Sequence, residues 1–386
     1  MQIDFHSSES SSLGIEMELE IVDVDTRELH SGATEILTDA GRPYPDSAHP
    51  KAKHELLEST IEIITGICTT VADARSDLEA TLAELKPYLD QRDLAFICSG
   101  THPFSDWAKQ QISPNPRYER LVEEMQWLAR RLQIFGIHVH VGVRSAEKAI
   151  AIANALTAYI PHFLAISASS PYWMGQDTGL ASSRSKVFEA LPTAGLPYQL
   201  SGWAQFEDFM HTLVSAKAIS SIREVWWDIR PHPDFGTIEF RICDGMPTMS
   251  EVASVAAISQ CLVEWLDTLY DRGHTLPVPR SWVVRENKWR AARYGIDAEI
   301  ITDESGSLAA MGDAIGRLID ELGPTARRLD CEAELEHARA IVSKGPSYLR
   351  QRDVVASGGT LVDVVDSLID ELATDRPHVI GTGQRG

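Results

Sequence analysis

Residues 14–23 read Gly-Ile-Glu-Met-Glu-Leu-Glu-Ile-Val-Asp. Period two puts Ile15, Met17, Leu19 and Ile21 on one side of a strand and Glu16, Glu18 and Glu20 on the other. The apolar side needs a core to pack on, so the segment is predicted as a half-buried strand. Three carboxylates on one face repel one another. A solvated edge face tolerates the repulsion, because the charges there only keep the strand soluble. A hard divalent cation removes it, since Mg²⁺ and Mn²⁺ take oxygen ligands. This strand alone does not choose between the two.

Three further segments repeat the design. Residues 54–65 end in Ile61-Glu62-Ile63, a second strand with Glu62 on its polar face and Glu55 and Glu58 just upstream. In Gly136-Ile-His-Val-His-Val-Gly142 the imidazoles of His138 and His140 share one face, while Val139, Val141 and Val143 face the core. In residues 237–244, Ile238, Phe240 and Ile242 point inward, with Glu239 and Arg241 opposite them. A cross-strand ion pair is the plain account of that last duo. Recurrence over four strands is harder to explain away. A twisted antiparallel sheet with helices behind it gathers the four polar faces into one concave pocket. Carboxylates with an imidazole suit two or more Mg²⁺ or Mn²⁺ ions, and with arginine nearby they suit a nucleoside triphosphate. No phosphate-cradling Gly-x-x-x-x-Gly-Lys-Ser/Thr loop exists in the chain. Gly381-Thr-Gly-Gln-Arg-Gly386 matches a dinucleotide pattern, but no helix follows it in the sequence to receive a pyrophosphate.

Around these strands, Leu78, Leu82, Leu85 and Leu89 mark a helix over 71–91 capped by Thr70. Helices are also predicted over 117–132, from a Ser145 cap to about residue 160, and over 252–270, 285–294, 308–322, 331–342 and 361–372. Residues 94–98 form a short strand, and 23–50 read as loop and short strand. The Gly- and Pro-rich stretch 169–202 is a long irregular segment, expected to close over a nucleotide. Its Arg184 and Lys186 are candidate phosphate ligands, although two exposed basic residues explain the spacing equally well. One catalytic domain over 13–373 is expected, between flexible ends at 1–12 and 374–386.

A net charge of −21 argues against non-specific nucleic-acid binding and against docking on anionic membranes. It also requires any anionic substrate to be met by a local cluster of cations. Five scattered cysteines without a Cys-x-x-Cys read as reduced thiols. With no apolar run of membrane-spanning length and no signal layout at the N-terminus, a cytoplasmic protein is expected.

Gly14-Ile-Glu-Met-Glu18, Glu58-Ser-Thr-Ile-Glu-Ile-Ile-Thr65, Gly136-Ile-His-Val-His-Val-Gly142, Arg184 with Pro192-Thr-Ala-Gly-Leu-Pro197, and Thr237-Ile-Glu-Phe-Arg241 resemble the type-2 glutamate–cysteine ligase family. Within it they are most similar to the bacterial carboxylate–amine ligase branch, in motif order from about residue 12 to about residue 372. The resemblance implies a glutamine-synthetase-like α+β fold, a curved antiparallel sheet with helices on its outer face. It implies ATP and Mg²⁺ (or Mn²⁺) as cofactors. The implied reaction joins a carboxylate such as the γ-carboxylate of glutamate to an amine such as cysteine, through an acyl phosphate, with release of ADP. It implies Glu16, Glu18, Glu62, His138 and Glu239 as metal residues, with Glu58 completing the set and Glu55 as the alternative. Glu239 and Arg241 would stand at the chemistry, and Arg184 and Arg241 on phosphate, with Lys186 added from the loop reading. The amine acceptor and the roles of His140 and Glu20 do not transfer, and a homodimer is left open. Two rival readings remain: a metal-dependent hydrolase built on His138-x-His140, and a non-catalytic nucleotide-binding regulator. An arginine beside the metal suits phosphate better than hydroxide, and the intact acidic set speaks against degeneration.

Overall fold

The computed structural model describes residues 3–381. Each period-two segment becomes a strand of one sheet. The strands are β1 (Leu13–Asp23), β2 (Ala52–His54), β3 (Thr60–Ile64), β4 (Leu94–Ile97), β5 (Ile137–Gly142), β6 (Ile229–His232) and β7 (Thr237–Phe240). They pair antiparallel in the order β2-β3-β1-β5-β7-β6, with β4 beside the second half of β1. Ile15, Met17, Leu19, Val139, Val141, Ile238 and Phe240 turn to one face and are buried there. Behind that face lie the helices α3 (Ala146–Leu156), α4 (Ile160–Ser167) and α6 (Met249–Asp271), preceded in the chain by α1 (Ala33–Gly41), α2 (Val71–Asp90) and, before α6, α5 (Arg184–Phe188). Ile152, Phe163, Val255, Ile258 and Leu262 complete the same core. The expected α+β fold, a sheet backed by helices, is therefore present. Its polar face is left open for chemistry.

Local caps agree with the sequence reading. Thr70 and Asp73 form a reciprocal capping box on α2, and the Ser145 side chain accepts from the Lys148 N–H at the start of α3. Other segments differ. Residues 33–41 were expected as loop but form α1, burying Ala33, Ile36, Leu37 and Ala40 on one stripe. The helix over 117–132 is broken at Gln126, whose φ of 50° separates Pro116–Met125 from Trp127–Arg130. The stretch 169–202 contains a strand pair, Tyr172–Trp173 with Gln176–Asp177, and α5. Leu308–Ala310 is a strand paired with Glu299–Ile301, so the helix predicted from 308 begins at Met311. Helices Trp203–Ser215 and Ser347–Ala356 were not foreseen.

Two apolar stretches, Ala146–Ser167 and Met249–Asp271, are long enough to span a membrane, against the expectation that none would be. Each is 78% buried inside the protein, the mark of a core helix. The ends differ from loose tails as well. Ser8 N bonds Val143 O, and Ser11 Oγ bonds Glu264. Asp375 accepts from Ser250 and Arg75, and Gly381 N reaches Asp353. Residues 382–386, with most of the glycine-rich run, lie outside the described residues.

Candidate active site

Strand register brings the polar residues together. Glu18 stands opposite Glu62, Glu16 opposite His138, His140 opposite Glu239, and Glu239 opposite Arg230. Lys53 on β2 closes the row with a 2.7 Å ion pair to Glu62. These residues line a cavity of about 1300 Å³ over the sheet. Three overlapping groups present ligand atoms within 4.8 Å of one another: Glu18/Glu55/Glu62, Glu16/Glu62/His138 and Glu16/His140/Glu239. Hard oxygen donors with one or two imidazoles fit Mg²⁺ or Mn²⁺.

His138 Nδ1 lies 3.0 Å from Glu16, and its Nε2 lies 4.0 Å from Glu18. Burial, helped by the Arg241 charge, pushes this imidazole down to about 4, so it is neutral at pH 7. A neutral ring whose Nδ1–H is held by a carboxylate offers Nε2 as a ligand atom. Burial opposes ionisation of Glu16, but the His138 hydrogen bond and the two imidazoles hold its carboxyl well below the usual range. At the β2–β3 end the balance reverses. Burial, then the Glu55 charge, pushes Glu18 up to about 8. Burial and Glu16 raise Glu62 well above normal, and burial raises Glu55. Burial is the larger cause at this end, and repulsion adds to it: the Glu55 charge acts on Glu18, and the Glu16 and Glu55 charges act on Glu62.

At the opposite end Glu239 is 1% exposed. Burial disfavours its charge, but the Arg230 and Arg241 charges outweigh it and hold the carboxyl well below its usual range. Arg230 places Nε and Nη2 at 2.8 and 2.6 Å from Oε2, while Arg241 Nη1 reaches Oε1 at 2.5 Å. Arg241 keeps Nε without a partner. The Glu239–Arg241 pair is thus no surface decoration.

Glu58 is the clearest correction among the sequence-predicted residues. Its carboxylate accepts from the Thr34 N–H at 3.2 Å and the Thr34 hydroxyl at 2.6 Å, anchoring the first turn of α1, and it does not line the cavity. Glu55 takes the place next to Glu18 and Glu62. Arg184 is also not an exposed loop residue. It is buried on α5, its guanidinium within 3.4 Å of the Arg241 and Ile242 carbonyls and packed against Gly136, where a Cβ would collide with it. It lines the cavity with Nε unpartnered. Lys186, at the cavity wall, is paired with Glu189 at 2.8 Å. Glu20 is fully buried, and burial holds it well above the usual range while Ser99 donates to it. It belongs to none of the ligand groups.

Sequence reading did not reach Arg230 or His232, or give His140 a role. Arg230 and His232 flank Pro231 on a strand that reads as a lead-in, because proline is a poor strand signal except on an edge. β6 is that edge. For His140, Nδ1 bonds Thr237 at 3.0 Å and Nε2 sits 3.8 Å from both Glu16 and Glu239.

The fold is shared with the crystal structure of the glutamate–cysteine ligase from Francisella tularensis in complex with AMP. That match has a TM-score of 0.68 at 12% identity and covers 96% of this chain and 90% of that one. The family and the relatives that the chain matches make it an ATP-dependent carboxylate–amine ligase. The chain belongs to glutamate–cysteine ligase family 2 (GCS2), whose model matches residues 12–367. A provisionally named glutamate–cysteine ligase 2-1 from Frankia casuarinae is 56% identical over 382 residues, 99% of this chain and 100% of the relative. One from Thermobifida fusca, a glutamate–cysteine ligase 2, is 51% identical over 379 residues, covering 98% and 95%.

Proposed function

We propose that this ligase activates the γ-carboxylate of glutamate as an acyl phosphate and passes the acyl group to the amine of cysteine, the substrates its relatives' names carry. The observation that supports it best is the pairing of three acidic ligand groups with a guanidinium, Arg241, on the wall of the same cavity. A carboxylate is a poor electrophile, and it repels the triphosphate that must activate it. Glu18, Glu55 and Glu62 would hold one divalent ion, and Glu16 with His140 and Glu239, or with His138 and Glu62, a second. Bound there, Mg²⁺ or Mn²⁺ supplies charge neutralisation between the two anions. Arg230 fixes Glu239, and Arg241 would offer its guanidinium to the phosphoryl group in transfer. A carboxylate oxygen takes the γ-phosphorus while the bond to ADP breaks. The amine nitrogen then attacks the carbonyl carbon, phosphate leaves and the nitrogen loses its proton. Arg184 and Lys186 stand behind and beside the phosphates. The five buried, unbridged cysteines support a cytoplasmic setting with small-molecule substrates.

ADP release separates the readings. We expect ADP only when ATP, a carboxylate and an amine are all present, and tighter ATP binding by calorimetry in Mg²⁺ than in EDTA. Bond cleavage with no amine would favour the hydrolase, and ATP binding with no turnover for any pair would favour the regulator. Equal ATP affinity with and without cation would end the multi-metal reading.

A further inference from the structure

The cavity is polarised along the sheet. Its β2–β3 end gathers Glu18, Glu55 and Glu62, whereas its β7–β6 end gathers Arg230, Arg241, His140 and His232 around Glu239. A polyanion is drawn to the second end. Most donors there are already committed. Arg230 spends its guanidinium on Glu239 and on the Ile222 and Val225 carbonyls, and His140 Nδ1 is held by Thr237.

His232 is different. It lines the cavity, is 3% exposed, and its Nδ1 has no hydrogen-bond partner. A buried polar nitrogen left unpaired is costly and calls for a ligand or other explanation. The ring cannot easily turn away. Phe235 stacks on it at 4.1 Å and 7°, and His140 meets it edge-on at 5.9 Å. Phe235 sits on the β6–β7 turn, which the N-terminal segment clamps. His6 N–H donates to the Pro233 carbonyl at 3.0 Å, and Ser8 Oγ donates to the Gly236 carbonyl at 3.1 Å. Gly236, at φ +62°, has no Cβ, and one there would run into the His6 carbonyl oxygen. The imidazole is therefore held in place before any ligand arrives.

We propose that His232 is a nucleotide contact, its imidazole hydrogen-bonding the polyphosphate of ATP at the arginine-rich end of the cavity while Phe235 holds the ring. This rests on the ATP-dependent reading above. The test compares His232→Ala, His232→Asn and His232→Gln on the full chain, with thermal midpoints measured on the same samples. Asn places an amide nitrogen near Nδ1, and Gln near Nε2. We expect KM for Mg·ATP to rise about tenfold to a hundredfold in His232→Ala, with the carboxylate KM unchanged. Whichever of His232→Asn and His232→Gln carries its amide nitrogen to the place of the contacting ring nitrogen should recover most of the loss. Mg·tripolyphosphate, which has no base, should weaken as a competitor by the same factor as ATP. An unchanged ATP KM, a rise in the carboxylate KM instead, or unaltered competition by tripolyphosphate would each overturn the contact. Rescue by neither amide would overturn the contact, even if the alanine variant did not fold. Wild-type protein that binds neither ATP nor tripolyphosphate would bring down the ligase reading first.

Discussion

Glu55 and Glu58 are three positions apart and do unrelated jobs. Glu58 anchors α1 through both Thr34 groups, while Glu55 accepts the Leu56 N–H at 2.6 Å and completes an acidic group with Glu18 and Glu62. Their connecting segment is irregular, so no periodicity says which side chain turns toward β1. That is why spacing left the pair undecided. The substitutions should separate cleanly. Glu58→Gln removes a charged helix anchor and should cost about 1 kcal/mol of stability while turnover stays near wild type. Glu55→Gln relieves a carboxylate that burial already penalises, so stability should hold or rise. Its Mg²⁺-dependent ATP affinity should fall about tenfold or more, as loss of one ligand implies. Denaturant midpoints and calorimetry on both variants decide it, and collapse of turnover in Glu58→Gln would return that residue to the metal set.

At the scale of elements, what period two could say proved reliable. β1, β3, β5 and β7 each show one apolar and one polar face, and the polar faces meet as expected. What failed was signalled by short-range chemistry that points both ways. α1 is only nine residues long and lies among Gly32, Gly41 and Pro43, so its buried stripe was masked by turn residues. β6 carries Pro231, yet it supplies the partner that fixes Glu239. That cross-strand clamp can be weighed against a surface pair. Arg230→Met strips a buried carboxylate of one guanidinium and should cost about 3 kcal/mol, the low end for a broken buried pair because Arg241 remains. Arg327→Met breaks a pair with Glu332 whose side chains are 59% and 53% exposed, and should cost about 0–1 kcal/mol. Urea midpoints of the two variants test the contrast. Equal losses would mean that Arg230 does not hold Glu239 in place.

For the whole molecule, charge is segregated. The chain carries −21 overall, yet the end of the cavity argued to take the polyanion is ringed by Arg230, Arg241, His140 and His232. Other imidazoles serve the interior, and they make stability depend on acid. His102 is fully buried, with Nε2 donating to the Arg27 carbonyl at 2.8 Å and Nδ1 accepting from the Phe104 and Ser105 N–H groups. That arrangement joins the turn after β1 to the loop after β4, and it requires the neutral ring. Burial pushes His102 down to about 3. Unfolded, a histidine titrates near 6.5, so below that pH the unfolded chain takes up a proton that the folded one refuses. The contribution of His102 is therefore complete above pH 6.5 and is lost as pH falls toward 3. At pH 5 the loss is about 2 kcal/mol. His162, pushed by burial to about 4, acts in the same direction, while buried Glu20, held up by burial, acts in the opposite one. A difference measurement cancels both. His102→Gln keeps a neutral donor and acceptor but cannot titrate, so its stability deficit relative to wild type should shrink by about 2 kcal/mol between pH 7.5 and pH 5. Chemical denaturation of the two proteins at a series of pH values reads this directly. A deficit that stays constant across that range would mean that His102 takes up its proton without unfolding the loop it joins to β1.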